Sequence, residues 1–121
     1  MIIFKSGDIL KTTDQFIAQG VAIGSQEGLG TGLALKISKK FPTAQKEFKV
    51  FTRNSKFEGG SIFVSASCTP RIIYIATQPD MYHAKVSYLN KGLRNLVKYC
   101  TKHSVESVSI PKIGCGLGKL N

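Results

Sequence analysis

Acidic residues are scarce in this chain. Its 121 residues include 7 Asp and Glu against 17 Lys and Arg, which gives a formal net charge of +10 at pH 7. This shortage makes anionic partners the expected ones, through the summed field of many charges. No apolar run approaches the roughly 20 residues that cross a bilayer, and the first residues lack the pattern of a secretory leader. We therefore expect a soluble cytoplasmic protein that makes no membrane contact.

Cysteine and histidine are also few, with three and two residues respectively. Cys68, Cys100 and Cys115 are widely spaced and form no C-x-x-C pair, so the sequence predicts neither a zinc site nor a disulfide framework. We expect no metal and no cofactor. Cys115 lies between two glycines and has two interpretations, an activated nucleophile or a position that requires a small side chain. The second is favoured because no histidine or acid is adjacent in sequence.

Two common nucleotide-binding signatures are missing as well. A P-loop requires four residues between its glycines and a Lys-Ser or Lys-Thr ending, whereas Gly118-Lys119 is followed by Leu120. The dinucleotide fingerprint G-x-G-x-x-G is not matched either, because the glycines from Gly28 to Gly32 alternate with other residues. These absences exclude a P-loop protein and argue against a Rossmann cofactor site.

The chain does contain two glycine loops. Gly28–Gly32 opens into a segment with helical spacing, and Gly114–Gly118 follows a β-prone segment. Alternating glycines bring several backbone N–H groups close to one anion, because no Cβ blocks the approach. Either loop alone fits a plain structural turn equally well. The two together favour a ligand that contains a pyrophosphate.

Strand-like and helix-like segments alternate along the chain. Strands are predicted at residues 2–4, 16–23, 61–65, 71–76 and 105–110, and helices at 33–41, 44–52 and 89–100. The run Ile72–Ala76 is apolar enough to be buried on both faces, which predicts a central strand. The apolar stripe of the last helix comprises Leu89, Leu93, Leu96, Val97 and Cys100.

This alternation predicts one α/β domain over residues 1–121, with a largely parallel sheet and one antiparallel pair formed by the two middle strands. Such sheets bind ligands at the carboxyl ends of their strands. Both glycine loops and the Gly7-Asp8 turn follow predicted strands. We therefore expect all three to meet at that edge of the sheet.

The order of these pieces resembles the macro domain family, whose members bind ADP-ribose. The matching segments are Lys5–Leu10, Gly28–Ala34, Lys39–Pro42 and Ile110–Gly118. The resemblance implies a three-layer α/β/α fold with a mixed, largely parallel sheet. It is closest to the branch of ADP-ribosyl glycohydrolases and ADP-ribose-1''-phosphate phosphatases, including compact phage members that act in a host cytoplasm. The final helix and strand usual in the family are not found before Asn121, which would leave a sheet edge open to self-association.

The resemblance also implies ligand contacts in three segments. Asp8 would accept a hydrogen bond from the adenine amino group, with the backbone of Ile9 beside it. The first glycine loop would hold the phosphates and the distal ribose through Gly30, Thr31 and Gly32. The second would close over the pyrophosphate through Gly114, Cys115, Gly116, Leu117 and Gly118. From the residues alone, Asp8 is better explained as a turn or helix cap.

Departures from the family pattern bear on catalysis. In the glycohydrolase branch a lysine follows a threonine at the end of the central strand, whereas Gln78 follows Thr77 here. Gly118 also stands where protein-directed members have an acid. Covalent chemistry through a Schiff base is therefore disfavoured. The remaining candidates for a water-positioning or acid-base role are Asp80, His83 and Glu27. His83 and Glu27 are also explained as exposed surface residues.

Three functional classes remain open. The first is an enzyme that removes a phosphate or an ADP-ribosyl group at the terminal ribose. The second is a module that binds ADP-ribose without turnover, which the missing lysine and acid favour. The third is a nucleic-acid binder that uses the basic surface, although no recognition helix or aromatic RNA-binding motif is present.

Overall fold

The computed structural model describes residues 15–23, 32–66, 70–78 and 85–110. Three helices and four strands are found in these ranges. In chain order they are β1 (Phe16–Ala22), α1 (Gly32–Lys40), α2 (Pro42–Asn54), β2 (Ile62–Val64), β3 (Arg71–Gln78), α3 (Val86–Lys102) and β4 (Val108–Ser109). The strand predicted at residues 2–4 lies outside the described residues. No helix within the described ranges is long and apolar enough to span a membrane.

The four strands form one sheet in the order β2-β3-β1-β4. β1 pairs in parallel with both β3 and β4, and β2 pairs antiparallel with β3. The predicted mixed sheet is confirmed, and its antiparallel pair is formed by β2 and β3, the strands predicted at residues 61–65 and 71–76. β4 is shorter than predicted. Val105 lies outside it, because its backbone N–H donates to the carbonyl oxygen of Cys100 at 2.9 Å and is held at the end of α3.

The core of the sheet is β3. All five residues of the predicted central run, Ile72–Ala76, have no exposed surface. Layers on both faces of the sheet require an apolar strand without alternation, because each side chain must be buried whichever way it points. The prediction of a central strand is therefore confirmed.

One face of the sheet is covered by α1 and α2. Pro42 cannot continue α1, because it lacks an N–H group, and it is instead the first residue of α2, where that loss costs little. The layer is rich in aromatic rings. Phe48 is fully buried and stacks on Tyr74 at 4.2 Å between ring centroids, and it meets Phe57 edge-on at 5.1 Å. We call Phe48, Phe51, Phe57, Phe63 and Tyr74 the aromatic cluster.

Among the described helices, α3 covers the opposite face. Leu96 packs there with Ile73 and Ile75. Gly92 lets the helix approach the sheet closely, since a Cβ at that position would collide with Cγ2 of Ile75. The prediction that Val97 belongs to the buried stripe is wrong, because its side chain is 64% exposed. The buried side is centred on Gly92 and Leu96, and the next residue lies about 100° further round the helix.

Candidate functional site at the carboxyl edge of the sheet

The parallel strands of the sheet point towards one edge. Ala22, the last residue of β1, pairs with Gln78, the last residue of β3, so these two strands end level with each other. β4 runs in the same direction, but Ser109 pairs with Ile17, five positions before Ala22. β4 therefore ends about 16 Å short of this edge, at about 3.3 Å per residue.

Two helices begin at the same edge. α1 starts at Gly32, after β1, and α3 starts at Val86, after β3. The backbone N–H of Lys85 donates to the carbonyl oxygen of Thr77 at 3.0 Å and ties the start of α3 to the end of β3. Neither helix has an acidic residue in its first turn. The positive ends of both helix dipoles are thus not neutralised by their own side chains, which favours an anion at this edge.

A β-bulge lies at the end of β3. Val21 pairs with Ala76 and Ala22 pairs with Gln78, so Thr77 is the extra residue. Thr77 is 1% exposed, and its Oγ1 has no hydrogen-bond partner within the part of the chain that the structure describes. Bulges often redirect side chains next to functional sites. Sequence reasoning missed this feature, and the only signal for it was a threonine at the end of an apolar run.

Gln19 is a second buried polar residue that sequence reasoning missed. It lies in the middle of β1, opposite Tyr74, and is 2% exposed. Neither its Oε1 nor its Nε2 has a hydrogen-bond partner among the described residues. Burying an amide without hydrogen bonds lowers the stability of the fold. Replacing Gln19 with an apolar residue of similar shape tests whether this amide does so.

One predicted ligand residue, Gly32, lies within the described residues, and it is the first residue of α1. The other predicted site residues lie outside them, and their roles stay predictions. The ligand contacts in this group are Asp8, Ile9, Gly30, Thr31, Gly114, Cys115, Gly116, Leu117 and Gly118, and the catalytic candidates are Glu27, Asp80 and His83.

Cys100 is the cysteine within the described residues, and it does not lie at this edge of the sheet. It lies 14 residues after the start of α3, about 21 Å along the helix axis, near the opposite end of the layer. Partial burial raises the pKa of its thiol, which disfavours the reactive thiolate. Within the described ranges, no group of three His, Cys, Asp or Glu side chains is placed to hold a metal ion.

Comparison with known families identifies this architecture. Residues 22–121 match the family model of the Macro domain, which is most of the chain. The chain therefore belongs to the macro domain family, as the glycine loops and their order predicted.

Two relatives are similar in sequence. ADP-ribose glycohydrolase OARD1 of Homo sapiens is 32% identical over 94 residues, which cover 76% of this chain and 58% of that protein. DNA ADP-ribosyl glycohydrolase of Mycobacterium tuberculosis is 25% identical over an alignment that covers 100% of this chain and 35% of that protein. The chain thus spans less than two thirds of the length of either relative.

Solved structures confirm the fold. The macrodomain of Mycobacterium tuberculosis DarG superimposes with a TM-score of 0.88 at 24% identity, covering 100% of this chain and 82% of that one. Thermosipho africanus DarTG, solved in complex with ADP-ribose, superimposes with a TM-score of 0.84 at 21% identity, covering 94% of this chain and 33% of that one. The predicted α/β macro-domain architecture, with helices on both faces of a mixed sheet, is therefore confirmed.

Proposed function

We propose that this chain binds ADP-ribose, or a derivative of it, at the carboxyl edge of the sheet and hydrolyses a bond at the terminal ribose. The observation that carries the proposal is the meeting of two parallel strand ends and two helix N-termini at one edge. A diphosphate needs several N–H donors and a positive field, and this edge supplies the field.

The register of β4 supports a role for the second glycine loop. Ser109 lies opposite Ile17, so five further residues in the same register would bring position 114 level with Ala22. Position 114 is the first glycine of Gly114–Gly118. The first glycine loop ends at Gly32, the start of α1, at the same edge. Both loops would then approach a pyrophosphate from neighbouring strands.

The relatives support the same ligand. OARD1 is an ADP-ribose glycohydrolase, the mycobacterial relative is a DNA ADP-ribosyl glycohydrolase, and DarTG was solved with ADP-ribose. Removal of an ADP-ribosyl group, or of a phosphate at the same ribose, consumes one water molecule and releases ADP-ribose. Gln78 ends β3 in place of the lysine expected from the resemblance. The proposed reaction is therefore direct attack by water, with Glu27, Asp80 and His83 as candidates to position it or transfer a proton.

A second candidate function is a binding module without turnover. It is favoured by the same observation, because Gln78 has no amine to act as a nucleophile and Gly118 has no carboxylate. The binding step is common to both functions, so binding and turnover are tested separately.

Calorimetric titration with free ADP-ribose tests the binding step. We expect saturable heat with the native chain and at least a tenfold weaker affinity for Asp8→Ala, since a hydrogen bond to a charged group contributes about 1.5–3 kcal/mol. Asp14→Ala is the matched control, with the same loss of charge a few residues away, and its affinity should equal that of the native chain. Absence of heat up to millimolar ADP-ribose would overturn the proposal.

Turnover is tested by incubating the protein with ADP-ribose-1''-phosphate, with ADP-ribosylated protein and with ADP-ribosylated DNA. Release of ADP-ribose from any of the three supports the hydrolase and names its substrate class. If ADP-ribose binds and all three substrates are unchanged, the binding module is the correct function.

A further inference from the structure

We propose that the solvent face of α3 is a docking surface for the sugar-phosphate backbone of nucleic acid. The surface consists of Lys91, Arg94, Lys98 and Lys102, which we call the α3 basic stripe. All four side chains are exposed. The inference concerns the solvent face of α3, and it does not depend on ADP-ribose binding.

The helix aligns these four cations. At about 100° per residue, Lys91, Lys98 and Lys102 lie within about 40° of one another around the axis, and Arg94 lies about 60° to one side of Lys91. The row is about 16 Å long, at about 1.5 Å per residue. Phosphates on one strand of a duplex recur about every 3.4 Å along the axis. The stripe is therefore long enough to reach several phosphates of a strand, which suits a linear polyanion better than a single anion.

No carboxylate on α3 opposes this charge. Its sequence, VSYLNKGLRNLVKYCTK, contains no acidic residue. The carboxylates within the described residues are on Glu47, Glu58 and Glu106, none of which belongs to α3. Glu47 accepts a hydrogen bond from the backbone N–H of Ala66 on the other side of the sheet. The positive field of the stripe is thus not cancelled along its own helix, and anionic chains are attracted to it.

The backbone of α3, which carries the stripe, is held against the sheet. Asn95 Nδ2 donates to the carbonyl oxygen of Gly60 at 2.7 Å, which ties the middle of α3 to the turn before β2. The stem of Lys91 lies directly over Gly60, where a Cβ would come within 2.6 Å of the Lys91 Cβ. Gly60 has a φ of +84°, so this close approach and the turn both require glycine. The backbone that carries the four cations is therefore already ordered, so binding does not have to order it.

A nucleic acid fits this surface better than an acidic membrane. A helix that lies on a bilayer inserts an apolar face, whereas Leu96 of α3 packs against Ile73 and Ile75. The large apolar side chains of α3 that are exposed are Val86 and Val97, too few to form such a face. The exposed residues beside the stripe include Ser87, Asn90 and Thr101, whose side chains can donate hydrogen bonds to phosphate oxygens. The surface therefore suits contacts with the sugar-phosphate backbone and not with the edges of the bases.

The test measures fluorescence anisotropy of a labelled single-stranded DNA and of the corresponding duplex over a range of salt concentrations. The stripe variant is Arg94→Gln/Lys98→Gln/Lys102→Gln. The matched control is Lys39→Gln/Lys46→Gln/Lys56→Gln, which removes the same charge from exposed positions on and beside α1 and α2. Circular dichroism of both variants checks that they are folded.

We expect the native chain to bind and the stripe variant to bind about 100-fold more weakly near 0.1 M salt, with a log-log salt slope reduced by about 2, since each single-strand phosphate contact contributes about 0.7. The affinity of the control variant for DNA should fall by less than about fivefold, because only the overall positive charge of the protein is reduced. A larger loss for duplex than for single strand would identify the duplex as the ligand, and the reverse would identify the single strand.

Three outcomes would overturn the inference. One is no binding of either oligonucleotide by the native chain, and another is an equal loss in both variants. The third is stripe-dependent binding of phosphatidylserine vesicles without binding of DNA. Saturating ADP-ribose should leave DNA binding by the stripe in place. If the chain binds ADP-ribose in calorimetry but does not bind DNA, only the stripe proposal is overturned. If it binds DNA but not ADP-ribose, only the proposed function is overturned.

Discussion

The two faces of the sheet are filled in different ways. On one side, two short helices, α1 and α2, cover the sheet through the aromatic cluster, with rings packed in stacked, tilted and edge-on pairs. On the other side, one 17-residue helix lies mainly on aliphatic side chains, with one edge-on ring pair formed by Phe16 and Tyr99, and it comes close through Gly92. On the aromatic face, large rings fill the space between the helices and the sheet. On the aliphatic face, the lack of a side chain at Gly92 lets the helix lie closer to the sheet.

This difference implies opposite sensitivities. The aromatic face should suffer most from lost volume, because each ring supports several others. The aliphatic face should suffer most from added volume, because the helix has no room to retreat without losing its other contacts. Three substitutions test the comparison, from the largest expected effect to the smallest.

Phe48→Ala should have the largest effect on stability. Phe48 is fully buried and lies within 6 Å, between ring centroids, of Phe57, Phe63 and Tyr74. Removing the ring leaves a cavity and should lower the free energy of unfolding by about 3–5 kcal/mol. Urea denaturation measures this. Phe48→Leu keeps most of the volume and should cost about 1 kcal/mol, which separates cavity from ring contacts. A loss below about 1 kcal/mol for Phe48→Ala would contradict a central role for the cluster.

Gly92→Ala should be next. Alanine is a better helix former by about 1 kcal/mol, but its Cβ would collide with Cγ2 of Ile75. We expect overpacking to prevail, with a net loss of about 1–2 kcal/mol in the free energy of unfolding. Ile75→Leu removes the Cγ2 methyl group that an alanine Cβ at position 92 would meet. It provides the second substitution of a double-mutant cycle. The double variant should lose less than the sum of the single variants, and strict additivity would show that the contact does not limit the helix position.

Gln19→Met should have the smallest effect, and of the opposite sign. The amide of Gln19 is buried on the aromatic face without a hydrogen-bond partner in the described ranges. Methionine has a similar shape and no unpaired donor or acceptor, so we expect a gain of about 1 kcal/mol in chemical denaturation. Gln15→Met, at an exposed position just before β1, is the control and should change stability by less than about 0.5 kcal/mol. Destabilisation by Gln19→Met would show that the amide has a partner and is structurally required.

Sequence patterns predicted the elements best where burial is uniform. The run Ile72–Ala76 predicted a central strand correctly, because a strand buried on both faces has no polar alternation to misread. Helical spacing predicted α3 but placed Val97 on the wrong side, since an apolar residue at the margin of a stripe fits either side. The bulge at Thr77 had no sequence signal of comparable strength, because a bulge depends on the register between two strands distant in sequence.

The candidate site also has features that the sequence predicted and features that it did not. Glycine loops after predicted strands indicated an anion site at the carboxyl edge, since parallel strands direct their carboxyl ends towards the same edge. The five-residue offset of β4 against β1 was not predictable, because register is set by cross-strand packing and not by either strand alone.

The amino-acid sequence alone determined the order of helices and strands, the excess of positive charge and the membership in the macro domain family. These follow from local spacing, composition and motif order, which each segment carries by itself. Only the tertiary structure decided which face of α3 is exposed to solvent, where the bulge falls and how closely α3 approaches the sheet. Those features depend on contacts between residues far apart in the chain, and such contacts exist only once the layers have packed.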